Sequence, residues 1–526
     1  MVGLFAPFQY GDIGRDSDWR ERLAWPVSMA GLRASAEVVC ETMIAFVADR
    51  TDNLERQVAM VAAGRLVNAM MSLAEAGLVA EAERQGLIRA VGGPPEMDYL
   101  LGRADEPTAL PDVRRGQGSR DVTRAAWPVL RILARTHSWT GARGLPASIL
   151  APRTTALSHN SLLITRARRT HARLRYGPAS NILSTARKTS AATDIERFEF
   201  LATAVAPRLS ACFPALGHEM RARVESAFVC RMAPVLAQTA ADAAALRRVR
   251  LPKHVWRGTG GSYATRAITS EIKRRGGEVV GFDHGGVTGV TQLAQLTAII
   301  ELMESSAFVV GTPALKDALE ASGGINLAAP VNRPAILADQ GEALFRRACL
   351  DTRSSAGRRR VLYIGHPYKG LRQFAIVGTP DVLYWDLQSR TAAAIAQWNV
   401  DLLCKPHPEG AFVGAHNPIA DIAPTSMLRF EEHLADTDVF VFDAPTSTTF
   451  AEALCTNRPV VLIERGHYPF NPAVEPAIRA RVRTVPSKTD DRGRIWPDVA
   501  VLEDAVCSGP DTVDPASMRR LFAGIG

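Results

Sequence analysis

The stretch HVWRGTGGSYATRAITSEIKRRGGEVVGFDHGG, residues 254–286, decides the fold class of this chain. His254–Arg257 has the residues of a short strand and runs into a glycine-rich turn, after which the pattern is helical. A pair of glycines ends the helix, and a second strand, Glu278–Phe282, leads to Asp283–Gly286. Strand, turn, helix and strand in this order make a βαβ unit, which predicts a parallel sheet in an α/β protein.

A second unit of the same kind is predicted closer to the C-terminus. Its strands are expected at Val361–Ile364, Val400–Cys404, Asp438–Phe442 and Pro459–Ile463, and its helices at Leu387–Trp398 and Ser447–Leu454. The first unit gains a further strand at Ala307–Gly311, with a helix behind Pro313. Two units in tandem predict two α/β domains, residues 251–345 and 346–526, that face each other across a cleft.

The first 250 residues have a different pattern. Apolar residues recur at helical spacing from Ala24 to Leu101, and helical periodicity returns between Ile195 and Arg248. A strand is expected near Ser161–Thr165, and the polar, proline-containing stretch Ala104–Gly118 is typical of a linker or mobile loop. We therefore expect residues 1–250 to form a helix-rich N-terminal region.

The composition limits the class of protein. The 526 residues are 47% hydrophobic and 22% charged, which is ordinary for a globular protein of two or three domains. The N-terminal residues lack the pattern of a signal peptide, and no window approaches the ~18 uninterrupted apolar residues of a membrane helix. Seven dispersed cysteines without a C-x-x-C pair argue against a disulfide framework or a structural zinc site. These features predict a cytoplasmic protein.

The net charge of +8 favours a polyanionic partner. Nucleic acid is the least favoured, because no nucleic-acid-binding motif accompanies the charge. The densest basic cluster, residues 166–175 (RARRTHARLR), predicts either peripheral contact with an inner membrane or a solvated basic face. Two D-x-D triplets, Asp16 with Asp18 and Asp436 with Asp438, do not follow an apolar strand as a metal-binding D-x-D would, and we predict no metal.

Lys405-Pro406-His407-Pro408 directly follows a predicted strand. Open parallel sheets bind ligands at the carboxyl ends of their strands. The two prolines fix φ and hold His407 in a defined direction, and an imidazole beside an ammonium suits a phosphate. For an isolated His-Pro pair, a turn with a hydrogen-bonded structural histidine is the simpler interpretation.

A second polar group, Asp443–Thr449 (DAPTSTT), joins a predicted strand to a helix about forty residues after His407. Hydroxyl and backbone N–H donors at the positive end of a helix dipole make an anion site. Plain N-capping by Ser447 or Thr446 explains the same residues, and the two roles are compatible. Because parallel strands end at one edge of a sheet, we expect the two polar groups to lie close together.

These segments, with the A-E-A-L and R-P-V-V that follow, resemble the donor half of GT-B-type bacterial transferases. The similar families are the CDP-glycerol glycerophosphotransferases, the bacterial sialyltransferases and the capsular Kdo transferases. The resemblance covers roughly residues 250–470 and implies two Rossmann-type domains. It also implies that the phosphate of CMP or CDP is bound by His407, Ser447 and Thr448, with support from Lys405, Pro408 and Thr449. Glu452 corresponds to an acidic position at the donor ribose, or is a surface carboxylate.

Asp283-His284-Gly285-Gly286 resembles the strand-end Q-H-G or H-G motif of the same transferases, with Asp where Gln is common. Gly285 and Gly286 allow a ligand to approach the backbone closely. The His284 imidazole, whose usual pKa is near ~6.5, suits a base that takes a proton from an acceptor hydroxyl. Asp283 would orient that imidazole or act as the base itself. A strand-end turn with a structural histidine is the alternative.

Two glycine turns follow predicted strands. The stretch GTGGS, residues 258–262, lacks the G-x-G-x-x-G spacing of a nicotinamide site. We expect it to line the acceptor side of the cleft through Gly260, Gly261 and Ser262. The turn GHPYKG, residues 365–370, is either a simple β-to-α turn or a contact to the donor phosphate through Gly365, His366 and Lys369.

Together these patterns favour a metal-independent glycosyltransferase of bacterial surface glycan biosynthesis. The expected donor is a CMP-activated sugar, a Kdo or nonulosonic acid, and no further cofactor is expected. The expected acceptor is a glycan or a lipid-linked glycan of capsule or lipopolysaccharide, with residues 1–250 on the acceptor or membrane side. The alternatives are a CDP-glycerol or CDP-polyol phosphotransferase, a UDP- or GDP-sugar transferase, a nucleotide-sugar epimerase and a non-catalytic GT-B scaffold.

Overall fold

The computed structural model contains two six-stranded sheets and one two-stranded sheet. It describes residues 4–13, 18–107, 134, 136–137, 139, 153–188, 198–286, 288–350, 357–370, 377–412, 414–466 and 468–525. Asp16 and most of the predicted linker Ala104–Gly118 lie outside these residues. The predicted α/β class with parallel sheets is confirmed.

The strands and helices have the following bounds. The strands are β1 (Phe5–Pro7), β2 (Arg89–Val91), β3 (Thr154–Ala156), β4 (Leu174–Tyr176), β5 (His254–Arg257), β6 (Glu278–Phe282), β7 (Ala307–Val310), β8 (Ala335–Ala338), β9 (Arg359–Ile364), β10 (Val400–Lys405), β11 (Val439–Phe442), β12 (Val460–Glu464), β13 (Arg483–Thr489) and β14 (Ile495–Pro497). The α-helices are Trp19–Arg22, Met29–Ala48, Asn53–Arg84, Met97–Leu100, Ser161–Arg169, Ala179–Arg187, Glu199–Ser210, His218–Arg247, Tyr263–Arg274, Ala294–Thr297, Pro313–Ala321, Gly324–Ala328, Ala343–Ala348, Asp381–Ala396, Thr448–Leu454, Glu475–Arg481, Val499–Glu503 and Ala516–Met518.

The first large sheet contains β3 to β8 in the order β4-β3-β5-β6-β7-β8, and we call it, with its helices, the first lobe. All its strand pairs are parallel. The predicted unit at 254–286 is confirmed as β5, helix Tyr263–Arg274 and β6. The sheet begins before residue 251, where the sequence placed a domain boundary, because β3 pairs with both β4 and β5. The N-terminal region therefore contributes two strands to the first lobe.

The strand predicted near Ser161–Thr165 is wrong, since these residues begin helix Ser161–Arg169. Asn160 caps this helix by accepting a hydrogen bond from Leu163 N at 2.9 Å. The strand of this region lies just before it, at Thr154–Ala156. Three residues are too few to show the alternation of apolar and polar side chains that identifies a strand.

The second large sheet has the order β10-β9-β11-β12-β13-β14 and forms, with its helices, the second lobe. The strands β9 to β13 are parallel, and β14 pairs antiparallel with β13. The four strands predicted for this part of the chain are confirmed to within two residues at each end. The helix predicted at Leu387–Trp398 begins earlier, at Asp381, directly behind Pro380.

Long helices of the N-terminal region pack against one another: Met29–Ala48, Asn53–Arg84, Glu199–Ser210 and His218–Arg247. Among the described helices, Asn53–Arg84 alone is long and apolar enough by composition to cross a bilayer. However, 72% of its most apolar window is buried inside the protein. This helix therefore forms the core of the helical layer, as the core helix of a globular protein does.

Buried hydrogen bonds from two segments help to join the lobes. Asn471 of the second lobe donates through its amide to Gly289 O and Ala318 O of the first lobe, at 2.6 and 2.7 Å. The C-terminal segment returns to the first lobe, where Thr312 Oγ1 donates to Leu521 O at 2.5 Å. Because these hydrogen bonds are buried, breaking them would leave polar groups without partners, and they hold the lobes together.

Candidate functional site

The carboxyl ends of three neighbouring strands in the second lobe lie at one level. Lys405 at the end of β10 is in register with Ile364 at the end of β9, and so is Phe442 at the end of β11. The chain runs from β9 to β10 on one side, and then returns past β9 to β11 on the other. The ends of β9 and β11 therefore form the topological switch point of this sheet, the place where open α/β sheets bind ligands.

A pocket of about 270 Å³ opens beside this switch point. His366, which follows β9, and His407, which follows β10, both line it. Apolar parts of the wall come from Pro408, Phe412 and Met427. Two imidazoles and an apolar wall in one concave site are the usual features of a small-molecule site. Of the residues predicted to bind the donor, His366, His407 and Pro408 meet here.

Lys405 takes a different direction from His407. Its ammonium is buried and donates to Leu428 O, a carbonyl of the chain itself. Burial lowers the pKa of Lys405, and the carboxylates of Glu431 and Glu432 oppose that change. The ammonium, which the sequence predicted to converge with the imidazole on one phosphate, is therefore bound by the chain itself, and its charge contributes to lowering the pKa of His407.

The Ser447–Thr449 segment begins helix Thr448–Leu454 beyond the end of β11. Ser447 Oγ accepts a hydrogen bond from Phe450 N at 3.1 Å and lies 2.9 Å from Thr449 Oγ1. Ser447 therefore caps the helix, which is the simpler of the two roles that the sequence allowed. The lining of the His366–His407 pocket does not include these hydroxyls.

The Asp283–Gly286 turn of the first lobe meets the helix start of the second lobe. Gly285 has φ of +83°, and a Cβ atom added to it would collide with Thr448 Oγ1. A Cβ atom on Gly286, where φ is +70°, would lie 2.7 Å from the Phe345 ring. Both glycines are therefore needed for packing between parts of the chain. The structure brings the turn and Thr448 into direct contact.

Asp283 and His284 have opposite surroundings at the end of β6. The Asp283 carboxyl is buried, accepts a hydrogen bond from Thr288 Oγ1, and has no partner for Oδ2 among the described residues. Burial raises the pKa of Asp283 to about 7, although the Thr288 hydrogen bond opposes the rise. The His284 side chain, in contrast, is exposed. Asp283 is thus a buried acid held by Thr288, and His284 is open to an incoming group.

Two more buried carboxyls flank the contact between the lobes. Burial, followed by the nearby carboxylates of Glu431 and Glu342, raises the pKa of Glu452 to about 9. Burial also raises the pKa of Glu342 to about 7, with a smaller contribution from Asp283. Glu452 is only 2% exposed, so it is a buried carboxyl and not a surface carboxylate, and the raised pKa favours its protonated form. No pattern in the sequence pointed to Glu342.

The glycine turn of the first lobe, residues 258–262, is occupied by the side chain of Glu301. Gly260 N donates to both carboxylate oxygens of Glu301, at 3.1 and 3.0 Å. A Cβ atom on Gly260 would collide with Ile300 O, whereas Gly261 and Ser262 are exposed beyond it. The Glu301 carboxylate thus lies where a backbone turn of this kind would otherwise hold an anion.

The first lobe has its own topological switch point, between β3 and β5. Residues that follow β3 close it. Ser158 Oγ accepts a hydrogen bond from Gly258 N at 3.0 Å, and the Asn160 amide donates to Gly258 O and Asp283 O, both at 2.8 Å. The polar groups of Ser158, Asn160 and Gly258 are therefore paired with one another and not directed at a ligand.

Beneath His366 lies a buried polar network that the sequence did not indicate. His366 N donates to Tyr384 OH at 2.5 Å. The hydroxyls of Tyr363 and Tyr384 donate to Asp443 Oδ2, at 2.8 and 2.9 Å. Arg465 Nη2 lies 3.8 Å from Asp443 Oδ1. The one available signal was Tyr363 among the apolar residues at the end of strand β9, since a buried tyrosine needs a partner for its hydroxyl.

The basic segment 166–175 is partly tied to the first lobe. Arg166 and Arg169 both pair with Asp339, whose side chain is completely buried. Arg173 and Arg175 are exposed. Two of the guanidiniums therefore neutralise a buried carboxylate, which is a structural role.

In the described triplet, Asp436 and Asp438 are paired with an arginine and not with metal ligands. Asp436 pairs with the Arg360 guanidinium at 3.0 Å, and Asp438 accepts a hydrogen bond from Arg360 N at 2.8 Å. Across the part of the chain that the structure describes, no group of three or more His, Cys, Asp or Glu side chains is arranged to hold a metal ion. The seven cysteines are free thiols.

Known proteins add no independent indication of function. The chain matches no protein-family model, no curated protein and no solved structure.

Proposed function

We propose that the chain is a metal-independent glycosyltransferase of the GT-B type, which transfers a sugar from a CMP-activated donor to a glycan or lipid-linked acceptor. One observation carries the proposal: His366 and His407 line the same pocket at the carboxyl edge of the second sheet. The K-P-H-P segment that supplies His407 is also the segment on which the resemblance to the donor half of such transferases rests.

The pocket has the chemistry of a nucleotide site. His407 offers an imidazole to a phosphate oxygen, and Phe412 and Met427 offer an apolar wall to a base or a sugar. Positive charge lies close by, because Lys369 and Arg465, after burial, lower the pKa of His366. These cations favour a negatively charged ligand, against the opposing charge of the Glu409 carboxylate in the pocket lining.

The resemblance sets the order of donors: a CMP-linked Kdo or nonulosonic acid first, and CDP-glycerol or a related polyol second. The acceptor would approach from the first lobe, where His284 is exposed beside the contact between Gly285 and Thr448. The exposed Arg173 and Arg175 suit an anionic lipid surface, so we place the reaction at the cytoplasmic face of the inner membrane.

Nucleotide binding is the direct test. In a thermal-shift titration of the full chain with CMP, CDP, UDP and GDP, the cytidine nucleotides should raise Tm. A ligand that binds only the folded state stabilises it by RT ln(1 + [L]/Kd), about 2.7 kcal/mol at a hundredfold excess over Kd. His407→Ala should weaken CMP binding about tenfold, because it removes one hydrogen bond to a charged group. The matched control is His254→Gln, an exposed histidine on β5.

The possible outcomes separate the alternatives. A shift with UDP or GDP alone would keep the transferase and change the donor, and no shift with any nucleotide would overturn the proposal. Phosphorus NMR of the products distinguishes the two cytidine reactions, since the polyol phosphotransferase alone places a phosphodiester in the acceptor. Unchanged cellular function after loss of His407 would favour a scaffold.

The buried carboxyls favour one second candidate, a nucleotide-sugar epimerase. Such an enzyme needs several carboxyl groups near the sugar, and Asp283, Glu342 and Glu452 interact electrostatically at the contact between the lobes. Incubation with a UDP- or GDP-sugar without acceptor tests this candidate. An epimerase changes the configuration at a sugar carbon, visible by proton NMR, while a transferase leaves the sugar unchanged.

A further inference from the structure

The two imidazoles of the pocket have different backbone neighbours. His366 Nδ1 lies 3.3 Å from Pro367 O. A carbonyl oxygen accepts and never donates, so this contact requires the hydrogen of a neutral His366 ring to be on Nδ1. The other ring nitrogen, Nε2, then has a free lone pair and acts as an acceptor.

His407 has the opposite arrangement. Glu409 N donates a hydrogen bond to His407 Nδ1 at 3.1 Å. A backbone N–H cannot accept, so Nδ1 must carry the lone pair, and the hydrogen of a neutral ring is on Nε2. The carbonyl of Glu409 is more distant from the same Nδ1, at 3.4 Å, and competes weakly. His407 is therefore a donor through Nε2.

The surroundings favour the neutral form of both rings. Burial lowers the pKa of His366 well below its usual value, and the positive charges of Lys369 and Arg465 lower it further. Burial also lowers the pKa of His407, against the opposing effect of the backbone hydrogen bond with Glu409. At neutral pH the assignments from hydrogen bonding therefore apply, since neither ring is a cation that donates from both nitrogens.

Both rings are also held in place from behind. The His366 backbone N–H donates to Tyr384 OH at 2.5 Å, and the imidazole stacks on Tyr468 with ring centroids 6.2 Å apart. His407 is fixed between Pro406 and Pro408, which restrict the backbone on both sides. A defined orientation is what proton transfer requires of a general acid or base.

We propose that the pocket contains a complementary histidine pair, in which His366 Nε2 accepts a proton from the substrate and His407 Nε2–H donates a hydrogen bond to the leaving phosphate. The substrate class rests on the proposed function. The acceptor oxygen forms a bond to the sugar carbon while the bond from that carbon to the phosphate oxygen breaks. The hydroxyl proton goes to His366, and the electron pair of the broken bond remains on the nucleotide phosphate. The base is then His366 and not His284.

The first experiment needs no ligand. Long-range proton–nitrogen NMR of the full chain, labelled with nitrogen-15 histidine, reports which ring nitrogen carries the hydrogen. His366→Gln and His407→Gln assign the two signals, and His254→Gln serves as the control that removes neither. The expected result at pH 7 is a hydrogen on Nδ1 of His366 and on Nε2 of His407. The same tautomer for both rings, or a doubly protonated ring at pH 7, overturns the inference.

The second experiment measures transfer from a CMP-sugar. His366→Gln should lower kcat about 10²- to 10⁴-fold with less than a threefold change in the Kd for CMP, as expected for loss of a general base. His407→Gln retains an N–H donor and should bind CMP better than His407→Ala. A larger loss of kcat for His284→Gln than for His366→Gln would overturn the assignment of the base. If CMP does not bind while the tautomers are as expected, the proposed function fails and the histidine assignment stands.

Discussion

The topological switch points of the two sheets differ in what lies beside them: side chains of the protein fill the first, and a pocket borders the second. In the first lobe the switch point between β3 and β5 is closed by Asn160, and the adjacent glycine turn is occupied by the Glu301 carboxylate. In the second lobe the switch point between β9 and β11 borders a pocket of about 270 Å³ with two imidazoles. Topology therefore offers both switch points to a ligand, but Asn160 and Glu301 fill the first, whereas two imidazoles line a pocket beside the second.

The charged groups at the carboxyl edges of the two sheets also make the second edge the better site for an anionic ligand. The first edge has buried carboxyls that are only partly ionised at pH 7, since burial raises the pKa of Asp283 and that of Glu342 to about 7. The second edge has Lys369 and Arg465 close to His366. A phosphate is attracted to the second edge and repelled by ionised carboxylates at the first. The ligand is thus expected to bind the second lobe.

The largest expected effect is a loss of stability on substitution of Gly260, in the glycine turn that the Glu301 carboxylate occupies. Gly260→Ala places a methyl group against Ile300 O and disturbs the two hydrogen bonds to Glu301. We expect the free energy of unfolding to fall by about 3 kcal/mol. Gly261→Ala is the matched control, because the atoms nearest to its added methyl group are 3.6 Å away. Denaturant unfolding of both variants gives the measurement, and equal stabilities would show that the turn is not filled as described.

The next effect compares the two switch points directly. Asn160→Ala removes the amide that donates to Gly258 O and Asp283 O and also removes a helix cap, so it should cost about 2–3 kcal/mol of stability. His407→Ala, at the open edge, should change stability by less than about 1 kcal/mol, because partly exposed side chains contribute little. Thermal unfolding of the two variants side by side checks both. A loss at His407 as large as at Asn160 would remove the contrast between the edges.

Much of this fold was accessible from the sequence, for a physical reason. In β5 to β7 and in β9 to β12, apolar strands alternate with glycine turns and capped helices, and each signal is local, whereas β8 was not predicted. The three-residue strands β3 and β4 gave no such signal, and the Asn160 cap was overlooked in favour of a strand. Local patterns identify an element when it is long enough to show its period.

The site was only partly accessible. The common edge of parallel strands does bring His366 and His407 into one pocket, but the lining of that pocket does not include Ser447, which was expected to join His407 there. The direction of Lys405 depends on Leu428 O, and the burial of Glu452 depends on contact with the other lobe. Such contacts join residues far apart in the chain, so no window of sequence contains both partners.

The third expected effect is a pH dependence of the free energy of unfolding, and its sign follows from the raised pKa of Glu452. Burial, with Glu431 and Glu342, raises its pKa to about 9, so the folded chain keeps a proton that the unfolded chain loses above pH ~4.5. Raising the pH from 5 to 8 therefore favours unfolding. Glu452→Gln lacks this group and should stabilise the protein by about 1–2 kcal/mol at pH 8, with little effect at pH 5.

Tm values at the two pH values measure the effect, and Glu503→Gln, on an exposed side chain, is the control. A gain that is equal at pH 5 and pH 8, or a loss at pH 8, would mean that Glu452 is ionised in the folded protein. The acidic contact between the lobes would then be open to water, and the first edge would be less closed than the hydrogen bonds of Asn160 indicate.

The smallest expected effect distinguishes the two possible roles of Ser447, which are helix capping and phosphate binding. Its Oγ accepts a hydrogen bond from Phe450 N, and a lost cap costs about 1 kcal/mol. Ser447→Ala should therefore lower stability by about this amount and leave the Kd for CMP unchanged, since the hydroxyl is engaged and does not line the pocket. Ser447→Gly, which keeps most of the capping preference, should restore part of the stability. Calorimetric titration of both variants with CMP decides the point. A tenfold weaker Kd at unchanged stability would extend the phosphate site from His407 across β9 to the start of helix Thr448–Leu454, and the open edge would then span three strands instead of two.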